Sequence, residues 1–214
     1  MSDRVRPLTV AVCVSGGGTT LQNLIDRISA GGLHAEIVQV IASRPGIGAI
    51  ARAEAAGLPV TVVSRSGRSL EAFSAAVFDP IRERMTELVV LAGFLSLVDI
   101  PDDYHGRVLN IHPSLIPAFC GKGYHGAAVH QAVIDYGVKV SGCTVHFADA
   151  TYDTGPIILQ RTVPVLDDDD AVALAERIFT AECDALADAI SLYAEGRLDI
   201  CGRHVRIHPP HVGA

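Results

Sequence analysis

The chain is 214 residues long and 49% of them are apolar, which is enough to bury a sizeable core. Seventeen basic residues against 24 acidic ones give a formal net charge of −7, and no cluster of Lys and Arg stands out. This balance disfavours nucleic acid as the main partner, whereas a small phosphorylated ligand is compatible with it because backbone amides hold phosphate without lysines.

The cysteines and the hydropathy bear on the compartment. Five cysteines are scattered along the chain without a C-x-x-C pair, which predicts unpaired thiols in a reducing compartment. The short apolar run after the basic N-terminal residues ends in glycines and lacks the cleavage pattern of a signal peptide. No run approaches the ~18 apolar residues of a membrane-spanning helix. We therefore expect a cytoplasmic protein with no membrane partner.

The first half of the chain alternates short β-branched runs with alanine-rich amphipathic stretches. The predicted strands are Leu8–Val14, Ala35–Ala42, Val60–Val63 and Leu88–Ala92. The predicted helices are Thr20–Ala30, Ala49–Ala56 and a longer one around Leu70–Met85. This rhythm indicates an α/β fold built on a doubly wound, Rossmann-like, mainly parallel sheet, with helices on both faces and a ligand cleft at the carboxyl ends of the strands.

The second half departs from that rhythm. Ala127–Tyr136 is predicted to be helical. Gly142–Phe147 and Ile157–Val163 are separated by a loop too short for a crossover helix, which predicts antiparallel strands towards the C-terminal half. Asp169–Gly196 is predicted to form one long C-terminal helix, and the tail Arg203–Ala214 is expected to be irregular.

Nothing in the sequence divides the chain. It contains no internal repeat, low-complexity linker or change of composition, which predicts a single domain over residues 1–214 with an ordered core at about 8–200. The acidic tract Asp167–Asp170 precedes the last helix and is interpreted as its N-cap.

A glycine-rich loop joins the first strand to the first helix. It reads S-G-G-G-T-T (Ser15–Thr20) and matches neither G-x-x-x-x-G-K-[ST] nor G-x-G-x-x-G. Its backbone N–H groups and the helix N-terminus favour an anion, and the absence of a following lysine favours a monophosphate over a nucleoside triphosphate. A tight turn without a ligand is the alternative interpretation.

A polar pair follows an apolar run in V-L-N-I-H-P-S-L-I-P (Val108–Pro117). Asn110 and His112 lie two residues apart, so on a strand they project from one face, and the prolines prevent a regular helix from starting there. A neutral amide donor beside an imidazole is suited to acid–base chemistry. Asp153, followed by T-G-P, is by itself typical of a turn.

The other histidines are interpreted as residues without a role in catalysis or metal binding. His34, His105 and His130 are isolated and expected at the surface. The tail also carries histidines and Cys201, but its prolines and the lack of a second ligand cluster favour a tail without zinc.

Four segments together resemble the glycinamide ribonucleotide (phosphoribosylglycinamide) formyltransferases of purine synthesis, over about residues 8–200. They are S-G-G-G-T-T-L-Q (Ser15–Gln22), L-A-G-F-L (Leu91–Leu95), N-I-H-P-S-L-I-P (Asn110–Pro117) and H-F-A-D-A-T-Y-D-T-G-P-I-I-L-Q (His146–Gln160). The third and fourth also resemble other formyltetrahydrofolate enzymes, while the glycine loop points to the ribonucleotide enzymes. Thr19-Thr20 stands where the family usually has Ser-Asn, and Ser96 where it commonly has arginine.

The resemblance implies an enzyme that transfers the formyl group of 10-formyltetrahydrofolate, a co-substrate, to the glycine amine of 5'-phosphoribosylglycinamide in IMP biosynthesis, with no metal. It implies that the catalytic residues are Asn110, His112 and Asp153. The implied ribonucleotide-binding residues are Gly18, Thr19, Thr20 and Glu182. The implied folate-binding residues are Arg68, Leu95, Ser96, Leu97, Val98 and Asn110.

The chemistry suits these residue types. Attack of the amine on the formyl carbon gives a tetrahedral intermediate with an oxyanion, to which the Asn110 amide can donate. His112 can donate as an imidazolium or shuttle a proton towards the departing folate nitrogen. Asp153 can accept the proton of the amine, and beside the imidazole we expect it to raise the pKa of His112 and keep that ring cationic.

Two alternatives stay open within the same chemistry: a formyltetrahydrofolate hydrolase, or another 10-formyltetrahydrofolate-dependent formyltransferase such as one acting on aminoacyl-tRNA. Length disfavours both, because such enzymes usually carry a further regulatory or basic domain. A non-enzymatic nucleotide-binding module is disfavoured by the joint presence of Asn110, His112 and Asp153. The expected partners are small-molecule substrates, and the expected state is a monomer or homodimer.

Overall fold

Strands and helices alternate through the computed structural model, which describes residues 6–210. The strands are β1 (Leu8–Val14), β2 (Ala35–Ala42), β3 (Val60–Val62), β4 (Leu88–Leu91), β5 (Val108–His112), β6 (Val140–Phe147), β7 (Ile157–Pro164), β8 (Leu198–Cys201) and β9 (His204–Ile207). The helices are α1 (Thr19–Ser29), α2 (Gly48–Ala55), α3 (Leu70–Glu83), α4 (Ala127–Tyr136) and α5 (Ala171–Ala194), with one 3-10 turn at Asp102–Tyr104.

The described residues form two compact units. The N-terminal unit comprises residues 7–110 and 148–152, and the C-terminal unit comprises Arg6 and residues 111–147 and 153–210. β5 therefore contributes its first three residues to one unit and its last two to the other. The expectation of a single domain over the whole chain stays a prediction.

The N-terminal unit contains the predicted parallel sheet. Its strand order is β3-β2-β1-β4-β5, and every neighbouring pair is parallel. β1 is buried at six of its seven positions, as expected for a central strand covered on both faces. Helix α3 packs Phe73, Phe78 and Ile81, each at most 1% exposed, into the core of this unit. The mainly parallel α/β fold predicted for this half is confirmed.

The C-terminal unit carries the predicted antiparallel strands and the long helix. β6 pairs antiparallel with β7, and α5 packs on both strands and on α4. Gly142 is required where β6 meets β7, because a Cβ there would lie 1.9 Å from the Arg161 carbonyl oxygen. Asp170 caps α5 by accepting hydrogen bonds from the N–H groups of Val172 and Ala173. The N-cap interpretation of the acidic tract is confirmed.

The tail differs from the prediction of an irregular segment. β8 and β9 form an antiparallel hairpin, and His204 of β9 pairs parallel with Ile157 of β7. Gly202, at φ 62°, and Arg203 make the two-residue connection that such a hairpin requires. Each strand has only four residues, too short for alternation to stand out from the sequence. The last part of the predicted tail, residues 211–214, lies outside the described residues.

The described residues also bear on the expectations about membrane and metal. None of its helices is long and apolar enough to cross a membrane. Within residues 6–210 no group of three or more His, Cys, Asp or Glu side chains is placed to hold a metal ion.

Candidate functional site

His112 and Asp153 approach each other in the C-terminal unit. His112 is the last residue of β5 and is 4% exposed. Its Nδ1 lies 3.6 Å from Oδ2 of Asp153, whose side chain is 9% exposed. A histidine and a carboxylate that the resemblance groups together are thus neighbours in a site largely closed to water.

A short loop, residues 119–121, contacts both side chains. The Phe119 carbonyl lies 2.9 Å from Nε2 of His112 and also accepts a hydrogen bond from Ser114 Oγ at 3.2 Å. The Gly121 N–H donates to Oδ2 of Asp153 at 2.8 Å. Phe119 adopts φ 50° and Asp153 φ 58°, both in the left-handed region, which aspartate tolerates better than a bulky residue. The 119–121 loop therefore fixes the histidine and the carboxylate through backbone groups.

His146 is a third buried group that sequence reasoning did not assign to the site. It lies on β6, is 1% exposed, and places Nε2 3.7 Å from Oδ1 of Asp153. Its Nδ1 lies 2.8 Å from the Phe147 carbonyl oxygen. The ladder between β6 and β7 shifts register between Val145 and His146, directly beside this ring. Only the His-Phe dipeptide within the fourth motif hinted at it.

Burial decides the charge of His112 in this structure. Desolvation lowers the pKa of His112 below its ordinary value, and the Asp153 charge and the Phe119 carbonyl raise it by less. The expectation that Asp153 keeps His112 cationic is therefore wrong, because the net shift of the His112 pKa is downward. The Asp153 charge does raise that pKa, as expected, but by less than burial lowers it. The sequence could not show which effect on the pKa of His112 is larger, because desolvation depends on how completely the fold covers the ring.

Asp153 keeps its negative charge despite burial. Desolvation raises its pKa, but the hydrogen bond with His146, the charge of His112 and the Gly121 N–H together bring it below the ordinary value. The site therefore contains an anion at neutral pH, flanked by two imidazole rings.

Glu182, an implied ribonucleotide contact, lies on α5 in the same unit. Part of the residue reaches solvent, whereas protein atoms crowd its carboxyl group, and that desolvation raises the pKa of Glu182 to about 8. Burial, with the Glu182 charge next, raises the pKa of Cys143 on β6 to about 12. Among the described residues, no hydrogen bond or ion pair joins Glu182 to His112 or Asp153.

One of the isolated histidines is not where the sequence placed it. His34 and His105 are exposed as predicted, but His130 is 7% exposed. It belongs to the buried face of α4 with Val129 and Val133. Desolvation lowers the pKa of His130, with a smaller contribution from the charge of His112. Its Nδ1 is buried and has no hydrogen-bond partner within residues 6–210.

The glycine loop lies in the N-terminal unit, after β1. Gly18 is the N-cap of α1 at φ 77°, and a Cβ there would come within 2.7 Å of Ala49. Gly18 has no side chain to cap the helix, so the N–H groups of the first turn, which contains Thr19 and Thr20, donate no hydrogen bond to an N-cap side chain. Arg52 donates to the Gly17 carbonyl at 2.9 Å and supports the loop from outside.

The implied folate segment, Leu95–Val98, follows β4 in the same unit. The Leu95 N–H donates to Ser15 Oγ at 2.9 Å, which joins this segment to the glycine loop. The Leu97 N–H donates to the Tyr152 hydroxyl at 3.1 Å. Sequence reasoning missed Tyr152 and the linking role of Ser15, because both act on backbone atoms that no sequence pattern reveals.

Two more implied residues lie elsewhere in this unit. Arg68 is exposed, and its guanidinium donates to the Ser64 carbonyl of its own loop. No hydrogen bond of the described chain joins Arg68 to the Leu95–Val98 segment. Asn110 is half-buried on β5 and pairs in register with Leu91 of β4.

Comparison with known proteins decides the family. A model described as formyl transferase matches residues 8–190, which is most of the chain. The chain belongs to the formyl transferase family. Glycinamide ribonucleotide transformylase 1 from Symbiobacterium toebii superposes on this formyl transferase with a TM-score of 0.87 at 38% identity, with 96% of each chain covered.

Longer members of the formyl transferase family are similar over part of their length. The trifunctional purine biosynthetic protein adenosine-3 of Drosophila melanogaster is 42% identical over 192 residues, which is 87% of this chain and 14% of that protein. The chloroplastic phosphoribosylglycinamide formyltransferase of Vigna unguiculata is 36% identical over 197 residues, 91% of this chain and 63% of that protein. The chain thus spans about one seventh of the fly protein and less than two thirds of the cowpea protein.

Proposed function

We propose that this formyl transferase moves the formyl group of 10-formyltetrahydrofolate to the glycine amine of 5'-phosphoribosylglycinamide, a step of IMP biosynthesis. The observation that carries the proposal is the buried His112–Asp153 pair at the end of β5, with Nδ1 and Oδ2 3.6 Å apart. The solved structure from Symbiobacterium toebii, named as a glycinamide ribonucleotide transformylase, supports the choice of acceptor.

The proposed reaction needs a hydrogen-bond donor to the developing oxyanion. It also needs a route that carries a proton from the amine nitrogen to the departing folate nitrogen. The amine nitrogen bonds to the formyl carbon, the carbonyl oxygen gains negative charge, and the bond from that carbon to the folate nitrogen then breaks. Asn110 donates to the oxyanion, a contribution typically worth about 3 to 4 kcal/mol. Because burial keeps His112 neutral near pH 7, a shuttle fits better than a permanent imidazolium. Asp153 draws the proton from the amine and passes it to Nδ1 of His112, while His112 gives the proton of Nε2 to the departing nitrogen, so both side chains return to their starting protonation states.

The proposed binding residues follow the two loops of the N-terminal unit. The substrate phosphate is assigned to the backbone of Gly18, Thr19 and Thr20, since the N–H groups of the first turn of α1 donate no hydrogen bond to an N-cap side chain. The folate pteridine is assigned to backbone groups of Leu95–Val98, including Leu97 and Ser96. Glu182, protonated below about pH 8, would meet the ribosylglycinamide as a hydrogen-bond donor. Arg68 is retained as a folate contact on the resemblance alone.

The decisive experiment mixes purified protein with phosphoribosylglycinamide and 10-formyltetrahydrofolate and follows the absorbance of released tetrahydrofolate. We expect release that depends on the ribonucleotide, and a loss of ~10²–10³ in turnover for His112→Ala and for Asn110→Ala. Release without the ribonucleotide would identify a hydrolase instead. No release with either substrate set would reject the proposed reaction.

Compartment, partners and assembly follow as expectations. None of the five cysteines forms a disulfide within residues 6–210. A reducing cytoplasm stays an expectation from their spacing. The partners are proposed to be small molecules with no nucleic acid, and the chain to act as a monomer or homodimer of one domain. Size-exclusion chromatography with light scattering measures the assembly directly.

A further inference from the structure

Helix α2 contacts the glycine loop on the side of the loop's carbonyl groups. The Ala49 N–H donates to the Gly16 carbonyl at 3.2 Å, and Nε of Arg52, one turn further along α2, donates to the Gly17 carbonyl at 2.9 Å. The contact is close, because a Cβ on Gly48 would lie 3.2 Å from the Gly17 carbonyl oxygen. Two consecutive peptide groups of the loop are therefore held by one short helix.

These two hydrogen bonds fix the direction in which the loop presents its N–H groups. A trans peptide group is planar, and its N–H points opposite to its C=O. The Gly16 carbonyl shares a peptide group with the Gly17 N–H, and the Gly17 carbonyl shares one with the Gly18 N–H. Both N–H groups therefore point away from the donors on α2, and neither donates a hydrogen bond within residues 6–210. Successive backbone N–H groups left open in this way suit an anion.

The Arg52 side chain also reaches α1. Its Nη1 donates to Oε1 of Gln22 at 3.3 Å, and Nε2 of Gln22 donates in turn to Oδ1 of Asp26 at 2.8 Å. The Gln22 amide is thus held at both its oxygen and its nitrogen. One guanidinium therefore joins Gly17, which precedes α1, to Gln22 within α1, and it spans the helix start to which the phosphate is assigned.

The charges around the loop favour an anion. Arg52 is half-buried and forms no ion pair with a carboxylate of residues 6–210. Neither α1 nor α2 has an acidic residue in its first turn. The positive charge of the guanidinium therefore adds to the partial positive charge at the N-terminus of each helix, with no acidic side chain of either first turn to oppose it.

We propose that Arg52 is a positioning residue for the ribonucleotide, which holds Gly17 and Gln22 so that the Gly18 N–H points at the substrate phosphate. The proposal rests on the proposed function for the identity of that phosphate. Arg52 takes no part in the bond changes of formyl transfer. Its loss should therefore weaken binding of the ribonucleotide and leave the binding of folate and the chemical step unchanged.

Two variants separate the orientation of the loop from the charge beside it. Arg52→Met keeps the aliphatic part of the side chain and removes its donors and its charge. Arg52→Lys keeps the charge but replaces the planar fork that serves both partners with a single ammonium group. Arg84→Met, which removes an exposed arginine of the same unit, is the matched control.

Two measurements are needed. Steady-state kinetics gives kcat and the KM of each substrate. NMR titration of the ligand-free protein with ribose 5-phosphate gives its affinity without catalysis, read from the amide resonances of Gly17 and Gly18.

We expect the KM of the ribonucleotide to rise ~10-fold in Arg52→Met, the size typical of a lost hydrogen bond to a charged group, with kcat and the KM of folate little changed. Arg52→Lys should show a smaller rise of ~3-fold, because the charge stays and the double contact is lost. Arg84→Met should match wild type.

An unchanged KM of the ribonucleotide in Arg52→Met, or equal rises in the KM of both substrates, would overturn the proposal. Full recovery in Arg52→Lys would also overturn it, because charge alone would then account for the effect. If Arg52→Met does not fold, the KM values of Arg52→Lys decide: a rise for the ribonucleotide alone supports the proposal.

The titration distinguishes this proposal from the proposed function. Inactive wild-type protein that binds ribose 5-phosphate, and binds it ~10-fold more weakly in Arg52→Met, would reject formyl transfer and leave the role of Arg52 in place. Active wild-type protein with the same affinity as Arg52→Met would reject the role of Arg52 and leave the reaction in place. Wild-type protein that binds no ribose 5-phosphate at Gly17 and Gly18 would overturn the proposal whatever its activity.

Discussion

Replacing Asp153 with asparagine removes one charge from the centre of the candidate site and changes its shape little. The Gly121 N–H keeps an amide oxygen to donate to, so the 119–121 loop should stay in position. Two unit charges 3.6 Å apart, the separation of Nδ1 and Oδ2, attract by about 4 to 5 kcal/mol at an effective dielectric constant of about 20. The neutral ring feels almost none of this attraction, so its loss falls on the protonated state of His112.

The expected loss of turnover follows from that attraction. If His112 carries the proton in the transition state, removing the carboxylate should slow the reaction ~10³–10⁴-fold, since each ~1.36 kcal/mol is a factor of ten. The sign of the pH effect is also fixed. The Asp153 charge raises the pKa of His112, so Asp153→Asn lowers it further, and the limb of the kcat profile that reports His112 moves to lower pH.

The assay is the initial rate of tetrahydrofolate release from pH 5 to 9 for wild type and Asp153→Asn. Asp168→Asn, an exposed aspartate of the same unit, is the control and should behave as wild type. A kcat near wild type with an unmoved limb would refute the reasoning, and Asp153 would then be a turn residue that happens to lie beside two histidines.

Three further predictions concern stability. Gly18→Ala places a Cβ 2.7 Å from Ala49 at a left-handed φ and should destabilise the protein by about 1 to 3 kcal/mol in urea unfolding, whereas Gly16→Ala meets nothing within 4 Å and should change little. Glu182 is protonated in the folded chain up to about pH 8 but ionised when unfolded, so the stability of the wild type falls as the pH rises towards 8. The free energy of unfolding of Glu182→Gln should therefore rise by about 1 to 3 kcal/mol relative to wild type between pH 5 and 8. A difference between the two proteins that does not change with pH would contradict this. Asp170→Ala removes the cap of α5 and should lower the melting temperature by an amount equivalent to about 1 kcal/mol, while Asp168→Ala should not.

Sequence predicted the parallel half of the fold well because its strands are continuous apolar runs separated by amphipathic helices. The positions of β1 and β2 agree with the structure residue for residue, and the helix limits differ by one or two. The hairpin of β8 and β9 was missed because four-residue strands carry almost no periodic signal. Long periodic elements are legible in a single sequence, and short edge strands are not.

The site was predicted in part, and the division has a physical reason. The resemblance named His112 and Asp153, and the fold brings them within 3.6 Å. The backbone groups of Phe119 and Gly121 hold these two side chains in place, and backbone contacts of this kind cannot be recognised from residue types. His146 was missed because its approach to Asp153 depends on the tertiary fold, which brings β6 next to this residue of the β6–β7 loop. The pKa direction of His112 failed for a related reason, since desolvation is a property of the whole enclosure.

The carbonyl of Phe119 acts towards His112 as an internal stand-in for a ligand oxygen. Any ligand atom that takes the hydrogen of Nε2 must displace this carbonyl, so binding exchanges one hydrogen bond for another rather than adding one. In the proposed reaction, the folate nitrogen of the bound substrate gains little from such an exchange, whereas the same nitrogen accepts a charge-assisted bond roughly twice as strong once it becomes negatively charged on leaving. Under the proposed reaction, the Phe119 carbonyl would therefore favour the transition state over the bound substrate, because only the transition state gains from displacing it.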